Sequence, residues 1–348
     1  MQTVSSFNIW RLTWPTILSN MAFMLTGLVF LKIAGGMGID EVAAVTTGQR
    51  LFFILFAVMM GLSSGTTALV GPYWVAGNKE LDGRVAALSV IIVLVDGLLL
   101  SFIAIPFLEP LVSIFSLTPE AHALAVDFVY YTVLLAPPLL IVLVFSMAFR
   151  ATGDSKTPLW AAVVGAVLGV YLGIVFTYGW HGIEPMGLSG LAIGNGVGAI
   201  ITVIIFMLLW VLGALSFKPA NPLPGFVQNG RDLIKIGMPA AFEQVFFQAG
   251  LLVFLVFLAS YGNAAFATYG IGLSILGLMI VIAFSFSISS ATLVSQHLGA
   301  GDKQGAYNAG WRTMRTCLYI MIAGSLMMSL FAEEIARFMI NDPEVIAL

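Results

Sequence analysis

Nine stretches of this chain are too long and too apolar to lie in water. They fall at about 12–35, 45–74, 86–108, 122–149, 158–180, 187–215, 236–260, 264–297 and 311–332. A helix that crosses the hydrocarbon of a bilayer needs about 20 mostly apolar residues. Spanning strands would alternate polar and apolar residues, and these runs do not. Inside hydrocarbon only the protein itself can satisfy backbone N–H and C=O groups, so the runs must be packed helices. The composition agrees, with 60% hydrophobic and 9% charged residues against about 25% charged in a soluble domain. The expected class is an all-α integral membrane protein embedded in the lipid bilayer.

The same composition excludes other functions. A net charge of −3, with no basic patch among aromatics, argues against a nucleic-acid partner. Cys317 is the only cysteine, so no internal disulfide or cysteine-based metal site is expected. His122, His181 and His297 lack ligand spacing, and no metal or other cofactor is expected. An enzyme would need paired acids or an activated nucleophile at membrane depth, and no motif supplies them. The first run follows Arg11 without a small-residue cleavage site, so it reads as a retained span.

The chain also says one thing twice. Ser63–Lys79 returns 224 positions later as Ser287–Lys303, with Leu69/Leu293, Val70/Val294, Ala76/Ala300 and Gly77/Gly301 in register. The same offset pairs Pro15 with Pro239, Gly38 with Gly262, Gly48 with Gly272, and Thr118-Pro-Glu with Asp342-Pro-Glu. Shared hydrophobicity does not hold prolines and glycines in one register, so this reads as an internal duplication, a common plan of secondary transporters. The seam is a proline-rich linker at 216–230, between a six-span lobe at 1–215 and a three-span partial lobe at 231–348. Six is even, so the repeats are parallel in topology. By symmetry with the first half, spans ten to twelve of an expected six plus six are missing.

Orientation follows from the bases. With the N-terminus inside, the inner side receives Arg11, Lys79, Arg84, Arg150, Lys156, Lys218, Arg231, Lys235, Lys303, Arg312 and Arg315. The outer side receives only Lys32, Arg50 and Arg337. This is the positive-inside pattern of a multi-pass protein of the cell membrane, of bacterial inner-membrane type.

Three motifs carry a resemblance. Phe149-Arg-Ala-Thr-Gly-Asp-Ser-Lys-Thr-Pro158 resembles the loop after the fourth span of MATE (multidrug and toxic compound extrusion) transporters. Ala291–Asp302 resembles the loop after their eighth span, and Gly187–Ile193 the start of their sixth. The resemblance implies a two-lobed, V-shaped bundle that exports drugs or metabolites in exchange for Na⁺ or H⁺. It implies small-molecule substrates, a coupling cation, and a monomer. A lipid-linked oligosaccharide flippase of the same broad fold group and a non-transporting remnant are the alternatives.

The chain departs from the family where relatives place an acid in span one: Gly27-Leu28-Val29 is followed here by Phe30. In span five Gly165, Gly169 and Gly173 form a small-xxx-small ridge suited to close helix contact. Two acids sit well inside the spans, Glu243 and Asp96. A carboxylate at that depth is costly and marks a functional site by default, so these two are the candidates for cation coupling. Asn20, Gln244, Gln248 and Asn195, with the aromatics Phe247 and Tyr269, are the candidate lining of a substrate cleft between the lobes. Aromatic faces suit amphipathic cations. Arg150, Gly153, Asp154, Gly301 and Asp302 are expected to build rigid turns, with glycine at the helix end and aspartate capping the next helix. Pro137-Pro138 is expected to kink span four.

Overall fold

The computed structural model describes residues 9–115, 117–213, 220–259 and 263–330; some side chains within these ranges, Tyr269 among them, lie outside the description. Among the described residues every regular element is helical. The order is α1 (Ile9–Gly35), α2 (Ile39–Val75), α3 (Lys79–Ala104), α4 (Leu108–Ser113), α5 (Pro119–Leu134), α6 (Ala136–Ala151), α7 (Lys156–Tyr178), α8 (Ser189–Val211), α9 (Phe226–Ala259), α10 (Asn263–Gly299) and α11 (Lys303–Leu330). In their described residues the nine apolar runs lie mainly on helix. Among the described residues six helices are long and apolar enough to cross a membrane, or up to eight if each of two bent pairs is one span, against the nine expected; α9, which carries the seventh run, is not among them. The seventh run lies on α9, which starts at Phe226, inside the stretch expected as linker. The prolines of that stretch, Pro219, Pro222 and Pro224, all precede Phe226, so the helix can start there, with Pro239 the proline inside it.

The duplication is visible in the element boundaries. α2 ends at Val75 and α10 at Gly299, 224 positions on, and the same shift carries the start of α3 at Lys79 to that of α11 at Lys303. The fold is a two-lobed helical bundle built on this repeat.

Span four is two helices. α5 and α6 meet at 48° around Leu135. Pro137 and Pro138 have no N–H to give to Val133 and Leu134 one turn back, which removes two rungs of the ladder. A neighbour replaces one of them. Ser101 on α3 places its hydroxyl 2.7 Å from the Val133 carbonyl and 2.9 Å from its own Gly97 carbonyl. Its single proton can serve both. The kink is thus anchored to α3, where Gly97 lets the two backbones approach against Pro137.

Small residues set the other close contacts. The ridge Gly165, Gly169, Gly173 on α7 meets a second ridge on α8, Gly190, Gly194 and Gly198. A Cβ on Gly194 would overlap the Gly173 backbone, and one on Gly198 would lie 2.8 Å from the Gly169 nitrogen. Without water the helices gain nothing from hydrophobicity against each other, so association rests on dispersion at close range, which glycine permits. Around this pair an apolar core gathers Phe30, Val45, Phe128, Val133 and Leu191. A second core under the bend packs Phe145, Phe149, Phe206 and Trp210.

Ser101→Ala should leave the Val133 carbonyl unpaired and destabilise the protein by about 1–3 kcal/mol, read as a lower thermal midpoint in detergent. Adding Pro137→Ala restores an N–H for that carbonyl, so the double variant should recover most of the loss.

Candidate functional site

The seam between α1–α8 and α9–α11 is closed at one end of the bundle. On α2, Gly61 and Gly65 lie one turn apart. A Cβ on Gly61 would overlap the backbone of Ala241 on α9, and one on Gly65 would lie 2.7 Å from the Leu233 carbonyl oxygen. Further along α2, Gly71 abuts Ser295 of α10 and Pro72 abuts Gly299. Two hydrogen bonds cross from α10 to the first group. Asn20 Nδ2 on α1 donates to Ser285 Oγ at 2.9 Å, and Gln296 Nε2 donates to the Ala151 carbonyl at the end of α6 at 2.8 Å.

This seam has an approximate two-fold axis. Gly71 and Ser295 are counterparts in the repeat and touch each other, which only residues beside a symmetry axis can do. The α2–α9 crossing and the α10–α1 crossing are images of each other about it. The images differ in chemistry: Gly61, Gly65 and Gly71 correspond to Ser285, Ser289 and Ser295. One crossing is glycine-tight; the other carries serine hydroxyls beside an apolar cluster of Ile9, Leu12, Phe286 and Leu293.

The sequence-expected site residues are distributed over this frame rather than gathered in one place. Asn20 is on the seam, in the hydrogen bond to Ser285. Its repeat counterpart Gln244 is half-buried on α9, as is Gln248 one turn on, while Phe247 is exposed. Glu243 is exposed. At about 100° per residue it lies about 200° round α9 from Ala241, on the side turned away from α2. Asp96 is half-buried on α3, and its Oδ2 is enclosed without a hydrogen-bond partner. Asn195 is not on the seam. Its Oδ1 would lie 3.0 Å from a Cβ on Gly169, inside the α7–α8 crossing. Tyr269 lies outside the described residues. Ser285 and Gln296 were not singled out from the sequence, although the spacing of Ser285, Ser289, Thr292 and Gln296 on one helical face was there to be read.

Three turns share one construction. Gly77, Gly153 and Gly301 adopt φ of 75°, 87° and 75°, the left-handed region where a side chain is strained. In each turn the next N–H reaches back to a carbonyl five residues earlier: Asn78 to Tyr73, Asp154 to Phe149 and Asp302 to His297, at 3.0, 3.1 and 3.0 Å. This is the Schellman end of a helix. The same three residues cap the next helix. Asn78 Oδ1 accepts from Leu81 N, Asp154 Oδ1 from Lys156 N and Thr157 N, and Asp302 Oδ1 from Gly305 N. Arg150 is buried one turn before the second cap, at 5% exposure.

Comparison with known proteins follows the same division. The family model MatE matches residues 15–175 and 239–348, one segment on each side of the seam. The chain belongs to the MatE family. The "Probable multidrug resistance protein NorM" of Thermotoga maritima is 26% identical, over 97% of this chain and 73% of that protein. The "FAD transporter" of Shewanella oneidensis is 23% identical, over 97% of this chain and 75% of that protein. Among solved structures, a MOP superfamily transporter from Pyrococcus furiosus superposes with a TM-score of 0.86 at 22% identity, covering 97% of this chain and 75% of that one. An outward-facing multidrug resistance MATE family transporter superposes with a TM-score of 0.85 at 21% identity, covering 95% and 73%.

In this MatE protein Phe30 is 5% exposed, within the apolar core and against Gly173 of α7. No carboxylate could sit in that environment without a partner. The described residues also hold no group of three or more His, Cys, Asp or Glu side chains suited to a metal.

Gly61→Leu should force the α2–α9 crossing apart and cut any transport at least about tenfold, since overpacking of this kind cannot relax against a backbone; substrate accumulation in cells checks it. The Asp302 carboxyl is held below the ordinary carboxylate range, first by the Gly305 N–H and then by His297. A lowered folded value means that its capping is fully present above the ordinary carboxylate pKa and is lost as pH falls through the folded value. Amide protection at the start of α11, taken relative to intrinsic exchange at each pH, should therefore fall on acidification, and Asp302→Asn, which imitates Asn78, should remove that acid dependence.

Proposed function

We propose that this chain is a secondary active exporter that moves drugs or cationic and amphipathic metabolites outward in exchange for Na⁺ or H⁺. The observation that carries the reading is the family match on both sides of the seam, joined to relatives named as multidrug resistance proteins. The protein sits in the cell membrane as a monomer with its N-terminus inside, in keeping with the distribution of Lys and Arg. The end closed by Gly61, Gly65, Gly71 and Gln296 is then the inner end, and export proceeds by opening and closing it.

Alternating access needs two arrangements of the same helices, each favoured by a different ligand. Tight backbone crossings inside the first lobe, at α7–α8, keep that lobe rigid. The α1–α10 side of the seam is held by side chains, with Ile9 and Leu12 packed against Phe286 and Leu293 beside the Asn20–Ser285 bond, and is the side that gives. Substrate enters between the lobes near Asn20, Gln244 and Gln248. Asp96 and Glu243 are the carboxylates that take the coupling cation. Asp96 has an enclosed, unpartnered oxygen on α3, and Glu243 stands on α9 in a position the repeat does not duplicate, since its counterpart is Ser19. Ser19 is satisfied within its own helix by the Pro15 carbonyl.

Glu243→Gln and Asp96→Asn remove the charge and keep the shape. Drug accumulation in cells with and without a Na⁺ or proton gradient is the test. Gradient-driven export should fall at least about tenfold in one or both variants while membrane insertion is unchanged. Unaltered export and unaltered ion dependence in both variants would refute the coupling assignment.

A further inference from the structure

One face of α10 has a role that the exporter reading leaves open. Ser285, Ser289, Thr292 and Gln296 follow the i, i+4, i+7, i+11 spacing of a single helical stripe. They are 0%, 2%, 1% and 0% exposed. The stripe faces the first lobe, because both of its ends bond there: Ser285 to Asn20 of α1, and Gln296 to Ala151 of α6. It runs from the middle of α10 to the inner end of the seam.

Within the stripe the chemistry is uneven. Ser285 and Ser289 donate to carbonyls of their own helix, Val281 and Ser285. Thr292 Oγ1 and Gln296 Oε1 are enclosed with no hydrogen-bond partner. An enclosed polar oxygen without a partner is unfavourable at any depth in a membrane protein. The other repeat is different at these places. The counterparts on α2 are Gly61, Gly65, Ala68 and Pro72, with no side-chain donor or acceptor among them.

We propose that the Ser285–Ser289–Thr292–Gln296 stripe is the wall of the inner passage, dry and latched in this conformation and wetted when the seam opens. Gln296 is the latch. Its amide nitrogen ties α10 to the Ala151 carbonyl across the seam, and its amide oxygen and the Thr292 hydroxyl gain water only in the open form. The orphaned oxygens bias the closed form towards opening, and the Gln296–Ala151 bond opposes that bias. The passage is lined asymmetrically, with hydroxyls and an amide contributed by α10 and bare backbone by α2. Such a wall offers hydrogen bonds to a hydrated cation or a polar substrate without holding it by charge.

This inference rests on the exporter reading, and the test separates the two. All cysteines are introduced into a Cys317→Ser background of the full chain in membrane vesicles. A Cβ on Gly71 would lie 3.1 Å from Ser295 Cβ, close to the Cβ–Cβ separation of about 3.5–4.5 Å in disulfides. The pair G71C/S295C can therefore lock the seam shut under oxidant. Single cysteines S289C and T292C are then probed with a membrane-impermeant thiol reagent from either side. In the reduced protein both should label from the inner side, and locking should slow labelling at least about tenfold. Gln296→Leu, which removes the latch, should speed labelling of T292C in the reduced protein. Labelling that ignores the lock, labelling from the outer side alone, or no labelling in a variant that still exports overturns the proposal. Failure of G71C/S295C to cross-link overturns the closed seam on which it depends. Drug export by the Cys317→Ser parent reports separately on the exporter reading, and its absence beside lock-dependent labelling would reject transport while keeping the passage.

Discussion

A carbonyl oxygen released inside hydrocarbon has no water to turn to, and much of this fold is arranged around that fact. Pro137 and Pro138 free the carbonyls of Val133 and Leu134, and Ser101 crosses from α3 to meet the first of them. The hydroxyls of Thr13, Thr16, Ser63 and Ser89 turn back on the carbonyl four residues earlier. Such residues can be buried deep in the bundle because their own helix supplies the acceptor. Most of the polar side chains within the spans are therefore quiet. Against that background some enclosed atoms without a partner stand apart among the described residues, including Asp96 Oδ2 on α3, Thr177 Oγ1 on α7, and Thr292 Oγ1 and Gln296 Oε1 on α10.

The second constraint is distance. Where helices must not move relative to each other, glycines bring backbones into contact, as at Gly173 and Gly194. Where glycines face the other lobe, at Gly61 and Gly65, the same device makes a joint that is tight in one arrangement and has no side chains to interlock when it parts. Association of this kind depends on fit rather than on expulsion of water. It can be released and remade without exposing a large apolar surface to water.

Much of the architecture was legible in the sequence because membrane helices obey simple rules. Length and hydrophobicity located the spans, the 224-residue offset located the repeat, and the proline pair located the bend. The glycines of two turns, Gly153 and Gly301, were legible through their Gly-Asp pairing, while Gly77 entered only as the repeat counterpart of Gly301. The site was harder. Asn195 looked like a cleft residue because it is polar at depth, yet the small-residue ridge expected on α7 is what encloses it. Glu243 was picked out as an intramembrane acid, but the face of α9 it occupies depends on where Ala241 meets Gly61, a contact no single helix encodes. The start of α9 at Phe226 shows the same limit: prolines mark where a helix cannot be, and not how soon afterwards it begins.

The meeting of Gly71 with Ser295 reaches back before this chain was one chain. In an ancestral pair of separate, identical halves, the residue at this place would have faced its own copy across the axis. Whatever it was had to be small twice over. Joining the halves end to end lifted that demand, so that one side could keep no side chain at all while the other gained a hydroxyl. The same release let a glycine row on α2 and a serine row on α10 drift apart in character. The contact that resulted joins a face without side chains to a face with hydroxyls, so the two walls of the seam differ in chemistry.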